Sequence, residues 1–257
     1  MEKKPGKSKG IILDSLALTG KNLWGIIKIV VVFYIFLSLV SAGILYGGLG
    51  ITNKNTSILP VMSILVVILI ASIGALVQSF TDAAAIKLVY ESTKGNKITM
   101  REAIKEAFKK GWRIVGAAIF IAVISGVAGF LGMFIMTLIS AYMGSDGYVF
   151  SLILTIVIGG ISTILTSFII PAIIIDDLKI FAAFKETLSL LGKTDGQVIL
   201  KLLGLMIVSF AVISISYLIR IIPHFEIIGG YIVLFIGQIS LVFIEVGKVV
   251  LFKDYMK

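Results

Sequence analysis

Long apolar runs broken by short polar stretches set the pattern of this chain. Six runs, at about 26–49, 58–87, 114–143, 149–175, 198–222 and 227–252, are each apolar throughout most of their length. Each exceeds the roughly 20 helical residues that cross a hydrocarbon core of about 30 Å. Charged amphipathic segments lie before or between them. The strongest is Thr99 to Arg113, TMREAIKEAFKKGWR. Ile104, Phe108 and Trp112 fall at i, i+4 and i+8, flanked by Ala103 and Ala107, and Arg101, Glu102, Lys105, Glu106, Lys109 and Lys110 take the opposite face. This spacing predicts a helix lying on a membrane surface with its lysines toward headgroups and water. Thr99 and Glu102 have the spacing of a capping box that would start it. A second such segment runs from Leu178 to Leu191, with Phe181, Phe184, Leu188 and Leu191 as its apolar stripe. A weaker one, Ile11 to Gly20, carries Ile12, Leu13 and Leu16 on one side.

The predicted fold is therefore an all-α integral membrane protein. Six transmembrane helices form three hairpins, each preceded by a cytoplasmic amphipathic surface helix. Residues 1–257 read as a single polytopic domain with a candidate threefold repeat over 11–97, 98–177 and 178–257. Two observations favour the repeat: Lys21 with Trp24 and Lys109 with Trp112 stand 88 residues apart, and the even-numbered spans close on the acids Asp82, Asp176 and Glu245. The competing explanation is that lysine and tryptophan gather at any membrane interface.

Charge fixes the predicted orientation. Of the 23 Lys and Arg, 21 lie up to Lys28, within 87–113, within 179–201, or from Lys248 onward; the opposite turns hold Lys54 and Arg220. The positive-inside rule then places both termini in the cytoplasm of a multi-pass plasma-membrane protein. The net charge of +9 is accounted for by this rule and by anionic lipid, so no nucleic-acid partner is expected. A cleaved signal peptide is disfavoured, because the polar stretch before the first apolar run is far longer than a signal's n-region.

Composition narrows the chemistry. Hydrophobic residues make up 58% of the chain, against about 45–50% in soluble domains, which excludes a soluble reading. With no cysteine and a single histidine, His224, thiolate nucleophiles, disulfides and multi-histidine metal sites are excluded. No Walker loop, GxSxG or HExxH is present, so no catalytic residue, metal or cofactor is assigned and an enzyme is not expected. Asn55-Thr56-Ser57 matches a glycosylation sequon in a predicted outer turn.

Ionisable and amide side chains inside the spans are the candidate ligand or ion residues: Gln78, Asp82, Asp176, Asp177, Gln238 and Glu245. Two readings stay open for Asp82 and Glu245. They form a proton- or cation-responsive cluster with Gln78 and Gln238, or they pair locally with Lys87 and Lys248 near the span ends. Asp176 and Asp177 either cap the second surface helix or provide an acidic ligand site beside a hinge at Pro171. Arg101, Lys105, Lys109, Lys110 and Arg113 are the candidate surface for anionic lipid or a protein partner. Small residues at close-packing spacing, among them Ala71 with Ala75, Ser125 with Gly129, and Gly126, Gly129 and Gly132, permit helix crossings or a self-association face.

The segment PAIIIDD followed by FAAFKETLSLL, together with EAIKEAFKKGWRIVGAAI, resembles the six-helix membrane domain attached to some glycerophosphoryl diester phosphodiesterases and to related stand-alone proteins. The resemblance implies the six-helix architecture. In that family the hydrolase is a separate soluble domain, and its metal-binding His and Glu pattern is absent here, so the resemblance implies no activity.

The expected function is a non-enzymatic membrane module that organises lipid or protein partners, or a homo-oligomer, through its basic cytoplasmic face. The alternative is a small transporter or lipid-handling protein with the intramembrane acids near its pathway, which requires Gln78, Asp82, Gln238 and Glu245 to face one cavity. For orientation, an epitope tag before Met1 in intact cells is expected to resist a protease added outside; cleavage there would reverse the topology.

Overall fold

The computed structural model describes the backbone of residues 10–52, 59–144, 146–194, 196–217 and 226–255. Lys3, Lys4, Lys7 and Lys9, the Asn55 sequon with Lys54, and the turn containing Arg220, Pro223 and His224 lie outside the described residues. Helices account for nearly all of the described chain, in the order α1 (Ile11–Thr52), α2 (Leu59–Thr93), α3 (Met100–Lys109), α4 (Gly111–Met143), α5 (Asp146–Thr166), α6 (Ile169–Ile175), α7 (Ile180–Lys193), α8 (Gln197–Tyr217) and α9 (Glu226–Tyr255). Six stretches are long and apolar enough to cross a membrane: Ile11–Val40, Ile68–Thr93, Gly111–Met143, Phe150–Ile175, Gln197–Ser216 and Phe235–Tyr255. The chain is a multi-pass, all-helical membrane protein.

Helices in lipid gain little from the hydrophobic effect when they meet, so close packing of small residues decides where they touch. Three of the glycines that mark such contacts join neighbouring spans. A Cβ on Gly25 of α1 would stand 2.7 Å from Leu88 of α2, one on Gly132 of α4 would stand 2.9 Å from Thr155 of α5, and one on Gly247 of α9 would stand 2.2 Å from Leu205 of α8. The Thr155 hydroxyl, which donates to Ser151 O at 2.9 Å, also reaches Gly132 O at 3.3 Å, and Ser209 donates across to Ser240 O at 3.2 Å. By contrast, Gly126, Gly129, Gly159 and Gly160 have open space around them. The small-residue stripe of α4 therefore makes its helix contact at Gly132 and leaves the rest of its length free.

The buried side chains form two clusters. One joins Ile26, Ile29, Val30 and Phe33 of α1 to Ala83–Ile86 of α2 and to Val242, Val246 and Val249 of α9. The other gathers Phe168, Ile169, Ala172 and Ile173 around Leu190, Val198, Leu202, Leu205, Phe243 and Leu251. Large apolar residues elsewhere, such as Phe130, Met133, Ile156, Ile207 and Phe210, are exposed, as expected of side chains that face lipid.

The amphipathic segments depart from their predicted form in two respects. The first is no separate helix: Ile11 to Gly20 runs without a break into the span that follows it. The segment from Thr99 to Arg113 ends earlier than its periodicity implies. It stops at Lys109, and Gly111, Trp112 and Arg113 open α4. The periodicity is silent on a third point, the face that packs on the bundle. α3 buries Ala103 and Ala107, and α7 buries Ala183, Thr187 and Leu190, while Phe108, Trp112, Phe181 and Leu188 stay exposed. Small side chains let these short helices approach the bundle closely, and the aromatics splay along its flanks. Phe108 stacks on Phe80 of α2 at 5.0 Å, and Phe184 meets Phe120 of α4 at 5.2 Å.

The start of α3 is fixed as its spacing predicts. The Glu102 backbone N–H donates to the Thr99 hydroxyl at 3.3 Å, and the Thr99 backbone N–H donates to the Glu102 carboxylate at 2.7 Å. These bonds from Thr99 hold the Glu102 carboxyl below its ordinary pKa.

Replacing Gly132 with Leu is expected to pry α4 from α5 and cost about 1–3 kcal/mol, as overpacking does. Gly126→Leu, on the open part of the same helix, is expected to leave stability unchanged. Thermal unfolding in detergent measures both, and equal losses would contradict the packing described.

Candidate functional site

Burying charge inside a membrane-spanning bundle is costly, so the positions of the intramembrane acids are informative. Asp82 on α2 and Glu245 on α9 are both buried, at 9% and 8% exposure. They line one pocket of about 290 Å³ together with Gln78 and Ser79 of α2, Thr163 and Thr166 of α5, Ser167, Ile170 of α6 and Lys248 of α9. Ala118, Ile121 and Ala122 of α4 complete the wall. Gln78 donates a hydrogen bond of 2.7 Å to the Asp82 carboxylate, and Lys248 forms an ion pair with Glu245 one turn away. Asp82 is close enough to interact electrostatically with both Glu245 and Lys248. Two carboxylates and one ammonium leave the lining with one negative charge in excess when all three are ionised.

The local pairing predicted for Glu245 with Lys248 is present. The pairing predicted for Asp82 with Lys87 is not: Lys87 instead donates to Glu91 at 2.9 Å. Lys87 is four residues from Glu91 and five from Asp82, so helical geometry favours Glu91. Gln78, four residues before Asp82, takes the place next to the acid. Gln238 lies apart from the main pocket, so the single cavity expected of a transport pathway gathers Gln78, Asp82 and Glu245 but not Gln238. Gln238 lines a neighbouring pocket of about 210 Å³ with Tyr34, Thr81 and Gln78, so Gln78 borders both.

The wall contributed by the fourth span depends on a break in its helix. α5 stops at Thr166 and α6 begins at Ile169, with Pro171 in the first turn of α6. Proline supplies no N–H and disfavours a continuous helix through the residues before it. Hydroxyls bond the carbonyls upstream of the interruption: Ser167 donates to Thr163 O at 2.7 Å, and Thr166 donates to Ser162 O at 3.0 Å. This is the usual way that a break inside a span is tolerated. It also sets Thr163, Thr166 and Ser167 along the pocket.

Asp176 and Asp177 do not cap α7, whose N-cap is Lys179. Asp176 is the C-cap of α6, and Asp177 has a left-handed backbone with φ 57°. Asp177 pairs with Lys110 at 2.9 Å and with Arg113 at 2.8 Å. Lys110 also donates to Ile173 O and Ile174 O at 3.0 and 3.2 Å, and Arg113 donates to Asp177 O at 2.8 Å. A cation at the carbonyl end of α6 is favourable to its dipole. Lys110 and Arg113 thus clasp α6 to the α3–α4 junction. Arg101, Lys105 and Lys109 remain exposed on α3, with Lys109 paired to Glu106.

Sequence reasoning did not assign Ser79, Ala118 or Ala122 to the site. The usable signals were Ser79 and Asp82 at i, i+3, and alanines at i, i+4 on α4. Among the described residues no three His, Asp or Glu converge as a metal site requires. No family model, curated protein or solved structure matches the chain.

The clasp has a definite pH dependence. The hydrogen bond and charge of Lys110, with the charge of Arg113, hold the Asp177 carboxyl below its ordinary range. A depressed folded pKa gives stability that is present above the unfolded value and is lost as pH falls through the folded one. Asp177→Asn tolerates the same left-handed backbone and removes the charge. It is expected to lower the melting temperature slightly at neutral pH, with the gap to the unaltered chain closing below about pH 4. A gap independent of pH would assign the loss to something other than the ion pairs.

Proposed function

We propose that this chain is a small transporter or lipid-handling membrane protein, with the pocket at Asp82 and Glu245 receiving the polar part of its cargo. The observation that carries this reading is the convergence of Asp82, Gln78, Glu245 and Lys248, from two helices, on one pocket whose remaining polar wall is hydroxyl-rich. Buried ionisable groups mark substrate and ion pathways in membrane proteins because their burial needs compensation. A bundle that served only as scaffold would be served as well by apolar residues at these positions.

The finer topology belongs to the same proposal. We read the protein as a plasma-membrane protein with cytoplasmic termini and three hairpin units, whose amphipathic segments lie at the cytoplasmic face. Support comes from the lysine and arginine asymmetry along the sequence. The likeness to the six-helix membrane domain agrees with this architecture and adds no chemistry.

Arg101, Lys105 and Lys109 keep a second role in play, as contacts for anionic headgroups or for a protein partner, since they are exposed on α3. Lys110 and Arg113 contribute less to such a surface because they are engaged by Asp177.

The absence of cysteine makes the pocket testable in an otherwise native background. Ser79→Cys in the full chain, reconstituted in vesicles, is expected to react with a small membrane-permeant maleimide, because a polar chamber lets its thiol ionise, whereas Ile119→Cys, exposed on α4, is expected to be inert, its thiol un-ionised in lipid. No reaction at Ser79→Cys would overturn a transport or lipid-handling role for the pocket.

A further inference from the structure

The pocket has a mouth, and its composition says what can enter. Along its rim Ala75, Ala122 and Thr163 are exposed, whereas Ser79, Asp82 and Glu245 at its floor are buried. The mouth continues into a second groove of about 330 Å³ between α2 and α4, lined by Ser72, Leu76, Ile119 and Val123 with Ala75, Ala118 and Ala122 in common. Ile119 and Val123 are 58% and 59% exposed on a helix long and apolar enough to cross a membrane. They are lipid-facing side chains. A polar chamber therefore adjoins an apolar groove that opens sideways, and the three shared residues are alanines, which leave the passage wide.

The two halves ask for different chemistry. The groove is almost wholly apolar and accommodates a hydrocarbon chain. With Asp82, Glu245 and Lys248 all ionised the chamber carries one excess negative charge, and the one cation among its described lining residues, Lys248, is already paired with Glu245. Asp82 is hydrogen-bonded by the neutral amide of Gln78. An anionic headgroup would meet two carboxylates and a committed ammonium. A primary ammonium would meet Asp82, with Ser and Thr oxygens able to accept its remaining protons.

We propose that the chamber and groove together form a lateral binding site for a membrane amphiphile with a primary ammonium head. The ammonium sits at Asp82, and the hydrocarbon chain lies between α2 and α4. This inference rests on the proposed role of the same pocket and goes beyond it in naming the charge of the head and its route of entry. Charge selects the head, since reversing its sign replaces attraction by repulsion in a poorly hydrated site. Geometry selects the source, since the mouth continues into the groove lined by the exposed Ile119 and Val123 of a span-length helix.

The test uses the full Ser79→Cys chain in vesicles, with the rate of thiol labelling as readout. Three probes are compared: oleylamine, an ammonium amphiphile; oleate, an anionic one with the same chain; and ethanolamine, a soluble ammonium. Oleylamine is expected to slow labelling by about tenfold, equivalent to about 1.4 kcal/mol of occupancy. Oleate and ethanolamine are expected to leave the rate unchanged. Adding Asp82→Asn is expected to abolish the protection by oleylamine. Ala122→Phe, which fills the mouth from an exposed position and leaves the acids in place, is expected to abolish it too, so the test survives if the Asp82 variant does not fold. Equal protection by oleate would overturn the ammonium assignment. Equal protection by ethanolamine, or protection that survives Ala122→Phe, would overturn lateral entry while leaving the pocket's proposed role intact. A thiol that never reacts, even without a probe, would overturn that role itself.

Discussion

Close contact between helices is possible here only where a side chain is missing or small, and the arrangement of the bundle follows from that constraint. In a soluble core, expulsion of water rewards any apolar contact, but two helices already in lipid gain only what their surfaces can fit together. Gly25 against Leu88, Gly132 against Thr155 and Gly247 against Leu205 are such fits, and each belongs to a different helix pair. The same rule governs the short helices: Gly116 of α4 lies against Ile180 of α7, and α3 settles on Ala103 and Ala107. Where small residues are present but no partner helix fills the space, as at Ala75, Ala118 and Ala122, the result is a passage. Packing and cavity thus come from one class of residue, separated only by what stands opposite.

The electrostatic arrangement divides into two parts with different purposes. At one end of the bundle Lys110 and Arg113 meet Asp177 at an exposed site, where water and salt weaken the attraction. Its value is positional, because Lys110 simultaneously occupies the last carbonyls of α6. Inside the bundle Glu245 and Lys248 are both largely buried. There each charge depends on the other, and removal of one partner would leave its counterpart uncompensated. Asp82 stands beside this pair without a cation of its own.

Much of the fold was legible in the sequence because it rests on run length. Six apolar runs gave six spans, and Thr99 with Glu102 correctly marked the start of α3. Helix ends were less legible. Ile11 to Gly20 has the period of a surface segment, but no residue in it stops a helix, so α1 continues through it. Periodicity weighs large apolar residues, so it drew the stripes of α3 and α7, and it did not show that Ala103, Ala107 and Ala183 would make the close contact with the bundle. For the site, residue type alone singled out Asp82, Glu245 and Gln78. What it could not supply was which residues of α4 and α5 stand opposite them, since that depends on crossings fixed by Gly132 and by the interruption before Pro171. For Asp177 its place in the chain suggested a cap or an acidic ligand site, but its partners are cations more than sixty residues distant.

That interruption has a further meaning. Thr163 and Thr166 belong to α5, Ile170 to α6, and Ser167 to the two-residue gap between them. The fourth span is thus two rods meeting at the chamber wall, and the lower rod is tethered through its last carbonyls to Lys110, outside the chamber. Ile170 in the chamber wall and the Ile173 and Ile174 carbonyls held by Lys110 therefore lie on one seven-residue rod, so the chamber and the clasp share a helix.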